Sequence, residues 1–95
     1  MAKRQITYTL KKSWYDKQNN IKDWYVYKSG KKHKHVARLK EGIGYIRNRA
    51  FNLLKQGKVK KVIFKRYTSD DKLQYVREIT RDEKERKINM KKIKG

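Results

Sequence analysis

Val36-Ala37-Arg38-Leu39-Lys40-Glu41-Gly42-Ile43-Gly44-Tyr45-Ile46-Arg47-Asn48-Arg49-Ala50-Phe51-Asn52-Leu53-Leu54-Lys55-Gln56 is the stretch on which the fold turns. Its apolar residues Val36, Leu39, Ile43, Ile46, Ala50, Leu53 and Leu54 recur at steps of three and four, which lines them along one stripe of a helix. Gly57 follows where a C-terminal cap is wanted. The weak point is Glu41-Gly42-Ile43-Gly44, because each helical glycine costs about 1 kcal/mol against alanine. The helix therefore starts either near Val36 or near Ile43, with Val36 to Lys40 as a turn or a short separate helix. One amphipathic helix needs an apolar surface to lie on, and the flanking segments supply it.

Both flanks read as strands. In Gln5 to Lys12, Ile6, Tyr8 and Leu10 alternate with Thr7, Thr9 and Lys11, the period of a half-buried strand. Asp16-Lys17-Gln18-Asn19-Asn20 is polar and turn-rich, and Trp14 and Tyr15 fall in this first loop. Asp23 to Lys28 is a second strand, with Trp24 and Val26 opposite Tyr25 and Tyr27, closed by Ser29-Gly30-Lys31-Lys32. After the helix, Lys58 to Tyr67 reads as a strand with Val62 and Phe64 inward. Thr68-Ser69-Asp70-Asp71-Lys72 is a turn, where Asp side chains cap through local hydrogen bonds. Leu73 to Ile79 follows as the last strand. The expected fold class is α+β: a small antiparallel sheet of about four strands in ββαββ order, one helix on one face, and a basic C-terminal tail or helix. Residues 1–80 then form a single domain, and 81–95 a charged extension that orders only on a partner.

Charge dominates the composition. Twenty-nine of 95 residues are Lys or Arg and nine are acidic, a formal net charge of +20. A small protein repels itself at that charge, and an anionic partner relieves the repulsion by counterion release. At 36% hydrophobic the core is modest, yet 12% aromatic residues is too many for a plain disordered tail. The basic residues are 21 Lys and eight Arg. That balance favours phosphate attraction over reading of bases, or else reflects an AT-rich genome. No cysteine is present, which excludes disulfides and thiolate metal sites and fits a reducing cytoplasm. The first residues carry no apolar run of a secretory signal, and no segment approaches the ~20 apolar residues of a membrane helix.

The basic residues cluster. Lys28, Lys31, Lys32, Lys34, Arg38 and Lys40 occupy one stretch free of acids, and Lys55, Lys58, Lys60, Lys61, Lys65 and Arg66 another. The first leads into the helix and the second leaves it, so together they could follow several phosphates; alone, either is an ordinary solubilising surface. If Trp24 and Val26 face the core, Tyr25 and Tyr27 lie on the open sheet face with Lys28, a platform on which single-stranded bases stack. Tyr at such positions also serves as plain padding. Arg38, Tyr45, Arg49 and Asn52 form a polar stripe beside the apolar helix face, while Arg47 snorkels over the core edge.

Two motifs fail on inspection. Gly42-Ile43-Gly44 lacks the third glycine of a dinucleotide fingerprint and a following Lys-Ser pair; a helix starting near Gly44 could still offer free N–H groups to a phosphate. His33-Lys34-His35 has the spacing of the metal-binding histidines of single-strand nickases, but its middle residue is charged and a third ligand is missing. No catalytic constellation, metal site or cofactor is expected.

From Trp24 to Ile79 the chain resembles a small bacterial and phage ββαββ family of uncharacterised function, through Trp24-Tyr25-Val26, the helix Ile43 to Leu54, and the hairpin around Asp70-Asp71-Lys72, which stands where that family has Asp-Gly. The resemblance implies the ββαββ fold and brings no site residues with it. The expected function is non-enzymatic nucleic-acid binding, RNA or single-stranded DNA ahead of duplex, in a cytoplasmic protein of phage or mobile-element type. The rival is a phage-type inhibitor or effector that binds a host protein or ribonucleoprotein complex at an acidic or nucleic-acid-binding surface. A structural component of a packaging or ribosome-like assembly is a third reading. Oligomeric state stays open.

Overall fold

A computed structural model describes residues 5–82 and 87–94; the first four residues, where the reading of no secretory signal begins, part of the charged run after residue 80, and the last residue lie outside the described residues. The elements are β1 (Gln5–Asp16), β2 (Ile21–Lys28), β3 (Lys31–Val36), α1 (Leu39–Lys55), β4 (Lys61–Tyr67), β5 (Leu73–Asp82) and β6 (Lys87–Lys94). They build one six-stranded sheet in the order β3-β2-β1-β4-β5-β6. β1 and β4 pair in parallel at its centre, and every other pair is antiparallel.

This corrects the expected four-stranded antiparallel ββαββ sheet. β3 is the decisive addition. Its sequence Lys31-Lys32-His33-Lys34-His35-Val36 has one buried residue, Val36, so it lacks the alternation that marks a strand. It lies at the edge of the sheet, where charged side chains guard the free edge. A third strand before the helix reverses the chain once more. The helix then returns it to the end where β1 begins, and β4 starts alongside, Gln5 opposite Lys61 and Leu10 opposite Arg66. The basic end is likewise a strand, not a tail: β6 pairs with β5 from Asp82↔Lys87 to Val76↔Lys94. Ile88 and Met90 pack against the core, while the lysines of the same strand remain exposed.

One sheet face is covered by α1. Ile6, Tyr8 and Leu10 of β1 meet Val26 of β2, Val62 and Phe64 of β4 and Ile79 of β5, and the helix lays Ile46, Ala50, Leu53 and Leu54 across them. The helix runs from Leu39, with Arg38 extended at its N-cap. Gly42 already bonds back to the Arg38 carbonyl at 3.2 Å. Gly44 is therefore interior to the helix and offers no free N–H to a phosphate. Seventeen residues span about 25 Å, against a longest molecular dimension of 51 Å. The β1–β2 hairpin thus reaches past the helix, and Trp14, Tyr15 and Ile21 at its end are exposed. Trp14 and Tyr15 are in β1 itself, not in a loop, with a bulge between Trp14 and Asp16.

The helix ends as its glycine implies. Gly57 adopts φ +71°, its N–H donates to the Leu54 carbonyl at 3.2 Å, and the Lys58 N–H donates to that of Leu53 at 3.1 Å. These are the two bonds of a Schellman cap. Gly57→Ala is expected to lower stability by about 1 kcal/mol, because a Cβ is strained in this left-handed conformation; chemical denaturation measures it.

Candidate nucleic-acid interface

Register decides which side chains share the open face. Leu10 faces the helix, so Lys11 faces away, and Lys11 pairs with Tyr25 while Thr9 pairs with Tyr27. Tyr25 pairs on its other side with His35, and Tyr27 with Lys32. Across the parallel seam Thr9 lies opposite Lys65. Lys32, Lys65, Tyr25 and Tyr27 therefore stand together on the face opposite the helix. Lys28 does not: it is in phase with Val26 and opposite Tyr8, on the helix side of the sheet.

The aromatic rings on this face are close enough to act as a surface. Tyr15 stacks on His35 with centroids 5.1 Å apart and planes at 24°, and Tyr25 also approaches His35 at 5.1 Å, with planes tilted at 38°. Lys32 Nζ sits 4.4 Å from the centre of the Tyr25 ring. Lys11 Nζ stands between Tyr27 at 5.0 Å and Tyr67 at 6.0 Å. Each ammonium lies within reach of ring quadrupoles, and Lys32 Nζ also donates to the Trp14 carbonyl at 3.3 Å. Lys11, Tyr67 and His35 complete this surface and were not among the candidates. The signal for Lys11 was in the β1 alternation, whereas His35 depended on recognising β3.

Acidic residues on the face are engaged. His35 Nε2 donates to Asp23 Oδ2 at 2.7 Å, and the Trp24 N–H donates to Asp23 Oδ1 at 2.9 Å. These bonds, His35 first, and the charges of His35 and Lys12 hold the Asp23 carboxyl below its ordinary range. Lys61 lies 3.5 Å from Glu78, so Lys61 is partly neutralised within the sheet. Tyr25 is pushed above the usual phenol range by desolvation and by neighbouring Tyr15, Asp23 and Tyr27, and it remains a neutral ring at physiological pH.

No family model, curated protein or solved structure matches this chain.

The other candidates lie elsewhere. Lys28, Lys34 and Arg49 gather at the junction of α1 with β2 and β3, near His33. Arg38 is at the start of the helix, and Lys31 opposite Lys28 at the β2–β3 turn. Lys55 and Lys58 mark the helix C-terminus, where Arg81 donates to the Lys55 carbonyl at 3.4 Å. Lys60 lines a shallow cleft there with Leu54, Gly57, Val59 and Arg81. Arg66 lies 5.6 Å from the Tyr75 ring on the helix side, and Arg77 covers the same ring at 4.2 Å. The two sequence clusters thus divide between both sheet faces. The histidines diverge too, His35 to Asp23 and His33 to Tyr45. Among the described residues no group of three or more His, Asp or Glu side chains is arranged to hold a metal ion, and no helix is long and apolar enough to cross a membrane.

Proposed function

We propose that this chain is a non-enzymatic nucleic-acid-binding protein that holds single-stranded RNA or DNA on its open sheet face. The observation that carries the reading is the set of rings Tyr15, His35, Tyr25, Tyr27 and Tyr67, interleaved with Lys11, Lys32 and Lys65. Bases stack on such rings whatever their sequence, and the ammonium groups between them meet the phosphates. A duplex has its bases stacked internally and gains little from a flat aromatic surface, whereas duplex readers usually place a helix in the major groove. A protein of this kind, free of cysteine, works in a reducing cytoplasm.

Fluorescence anisotropy with labelled single-stranded RNA, single-stranded DNA and duplex DNA, across a range of salt, tests the proposal. Single strands are expected to bind more tightly than duplex. Lys11, Lys32 and Lys65 changed together to Gln should lower the salt slope of log K by about 2, at about 0.7 per phosphate contact on a single strand. Weak binding at physiological salt, with a slope the triple variant leaves unchanged, would overturn the reading and direct attention to an acidic protein partner.

A further inference from the structure

The helix side of the sheet holds a second basic cluster that the open face does not use. Tyr8 is wholly buried, and its hydroxyl has no hydrogen-bond partner among the described residues. Its strand neighbour on the same face is Lys28, which in turn pairs with Lys31. His33 is the extra residue of the β3 bulge, between Lys32 and Lys34. Its ring centre stands 6.3 Å from that of Tyr8, and its Nε2 is 2.6 Å from Tyr45 Oη. Lys34 Nζ lies 4.5 Å from the Tyr45 ring. Arg49, one helical turn beyond Tyr45, has a buried Nε without a hydrogen-bond partner among the described residues.

Four elements thus bring unsatisfied donors and positive charge to one place. Burial of a polar group without a partner is costly, and a donor-only Nε–H can be satisfied only by an acceptor. Desolvation first, then the charges of Lys28, Arg49 and Lys34, keep His33 below its ordinary pKa, which leaves its ring neutral at physiological pH. The ion pairs His35–Asp23 and Lys61–Glu78 draw on none of these groups. The histidine is exposed, so the cluster opens to solvent along the β3 edge.

We propose that this edge binds a phosphoryl group, with the Tyr8 hydroxyl and the Arg49 Nε–H as inner hydrogen-bond donors and Lys28 and Lys34 as flanking charges. A phosphoryl group offers several acceptor oxygens and up to two negative charges, which suits three cations and two inward donors better than a single carboxylate does. The site is on the opposite face from the stacking surface and does not rest on that reading. Its ligand is a small phosphate compound or the terminal phosphate of a nucleic acid strand.

Small anions test the site without any oligonucleotide. Thermal shift and isothermal titration of the full chain with inorganic phosphate and pyrophosphate, against chloride and acetate at matched ionic strength, should show stabilisation by the phosphates alone. Tyr8→Phe keeps the ring and the fold, as circular dichroism checks, and should weaken pyrophosphate binding about tenfold; Arg49→Gln should weaken it at least as much. In the wild type, NMR should show the His33 pKa rising when pyrophosphate binds, since a bound anion offsets the charges of Lys28 on β2, Lys34 on β3 and Arg49 on α1; the phenols of Tyr8 on β1 and Tyr45 on α1 are the other titratable groups beside the ring. A preference for a 5′-phosphorylated oligonucleotide over its 5′-hydroxyl form, lost in Tyr8→Phe, would support the site and assign its ligand to a strand end. Pyrophosphate binding without that preference would support it with a small phosphate compound as ligand. Equal effects of acetate and phosphate, or pyrophosphate binding unchanged in both variants, would overturn it.

Discussion

Replacing Tyr25 and Tyr27 together by alanine is expected to weaken single-stranded oligonucleotide binding by about 30-fold or more, at ~1–3 kcal/mol for each base stacked on an aromatic ring. The slope of affinity against salt should hardly change, because the phenol rings contact no counterion-condensing phosphate. Duplex binding, which does not use the rings, should be nearly unaltered. The two residues sit on β2, an interior strand paired on both sides, so alanine also removes β-favouring side chains from the sheet. A Tyr25→Leu/Tyr27→Leu variant answers that concern: leucine keeps an apolar cover over the strand but presents no π-face. If both pairs of variants lose single-strand affinity while the leucine protein retains the wild-type melting temperature, stacking is the cause. If the leucine protein binds as tightly as wild type, the rings are padding and the stacking reading fails. Paired with the lysine triple variant, the measurement separates the two contributions, since one changes affinity at constant slope and the other changes the slope.

How much of this was legible in the sequence depended on burial. Ile6, Tyr8 and Leu10 alternate because one face of β1 is core, and Val62 and Phe64 show their inward side for the same reason. Tyr25 and Tyr27 could be assigned to the open face from Trp24 and Val26 alone, since period two leaves no other choice once Val26 is buried. That same period puts Lys28 in phase with Val26, on the helix side. Edge strands give no such signal. β3 buries only Val36 and β6 half-buries only Ile88 and Met90, and between those residues the lysines that protect a free edge look like a solvated turn and a tail. The parallel pairing of β1 with β4 was hidden by the same omission, because it follows from an odd number of strands before the helix. The phosphoryl cluster was out of reach for a further reason. Tyr8 reads as core from its alternation, and only the three-dimensional approach of His33 and Arg49 gives its hydroxyl a setting.

The two glycines that made the helix start look doubtful are expected to respond to substitution with opposite sign. At Gly44 a Cβ would meet nothing within 4 Å, so Gly44→Ala should stabilise the protein by up to about 1 kcal/mol through helix propensity alone. At Gly42 a Cβ would stand 2.5 and 3.0 Å from the two Cδ atoms of Leu10, and 3.2 Å from Val36 Cγ2. Leu10 is fully buried and packed beneath the helix, so its methyl groups have little room to withdraw. Gly42→Ala gains the same propensity but forces this contact, and a net loss of about 1 kcal/mol is expected once overpacking is set against it. Gly42→Leu should cost about 3 kcal/mol, near the upper end of overpacking penalties. A double-mutant cycle isolates the cause. Leu10→Val removes both Cδ atoms, and the pair Gly42→Ala/Leu10→Val should be more stable than the sum of the single changes by about 1 kcal/mol, within the range for side chains in contact. Strict additivity in urea denaturation would refute close approach as the reason for Gly42. Coupling would mean that the glycine which weakens the helix on paper is what lets α1 settle onto β1, at the point where the helix leaves the β3 edge.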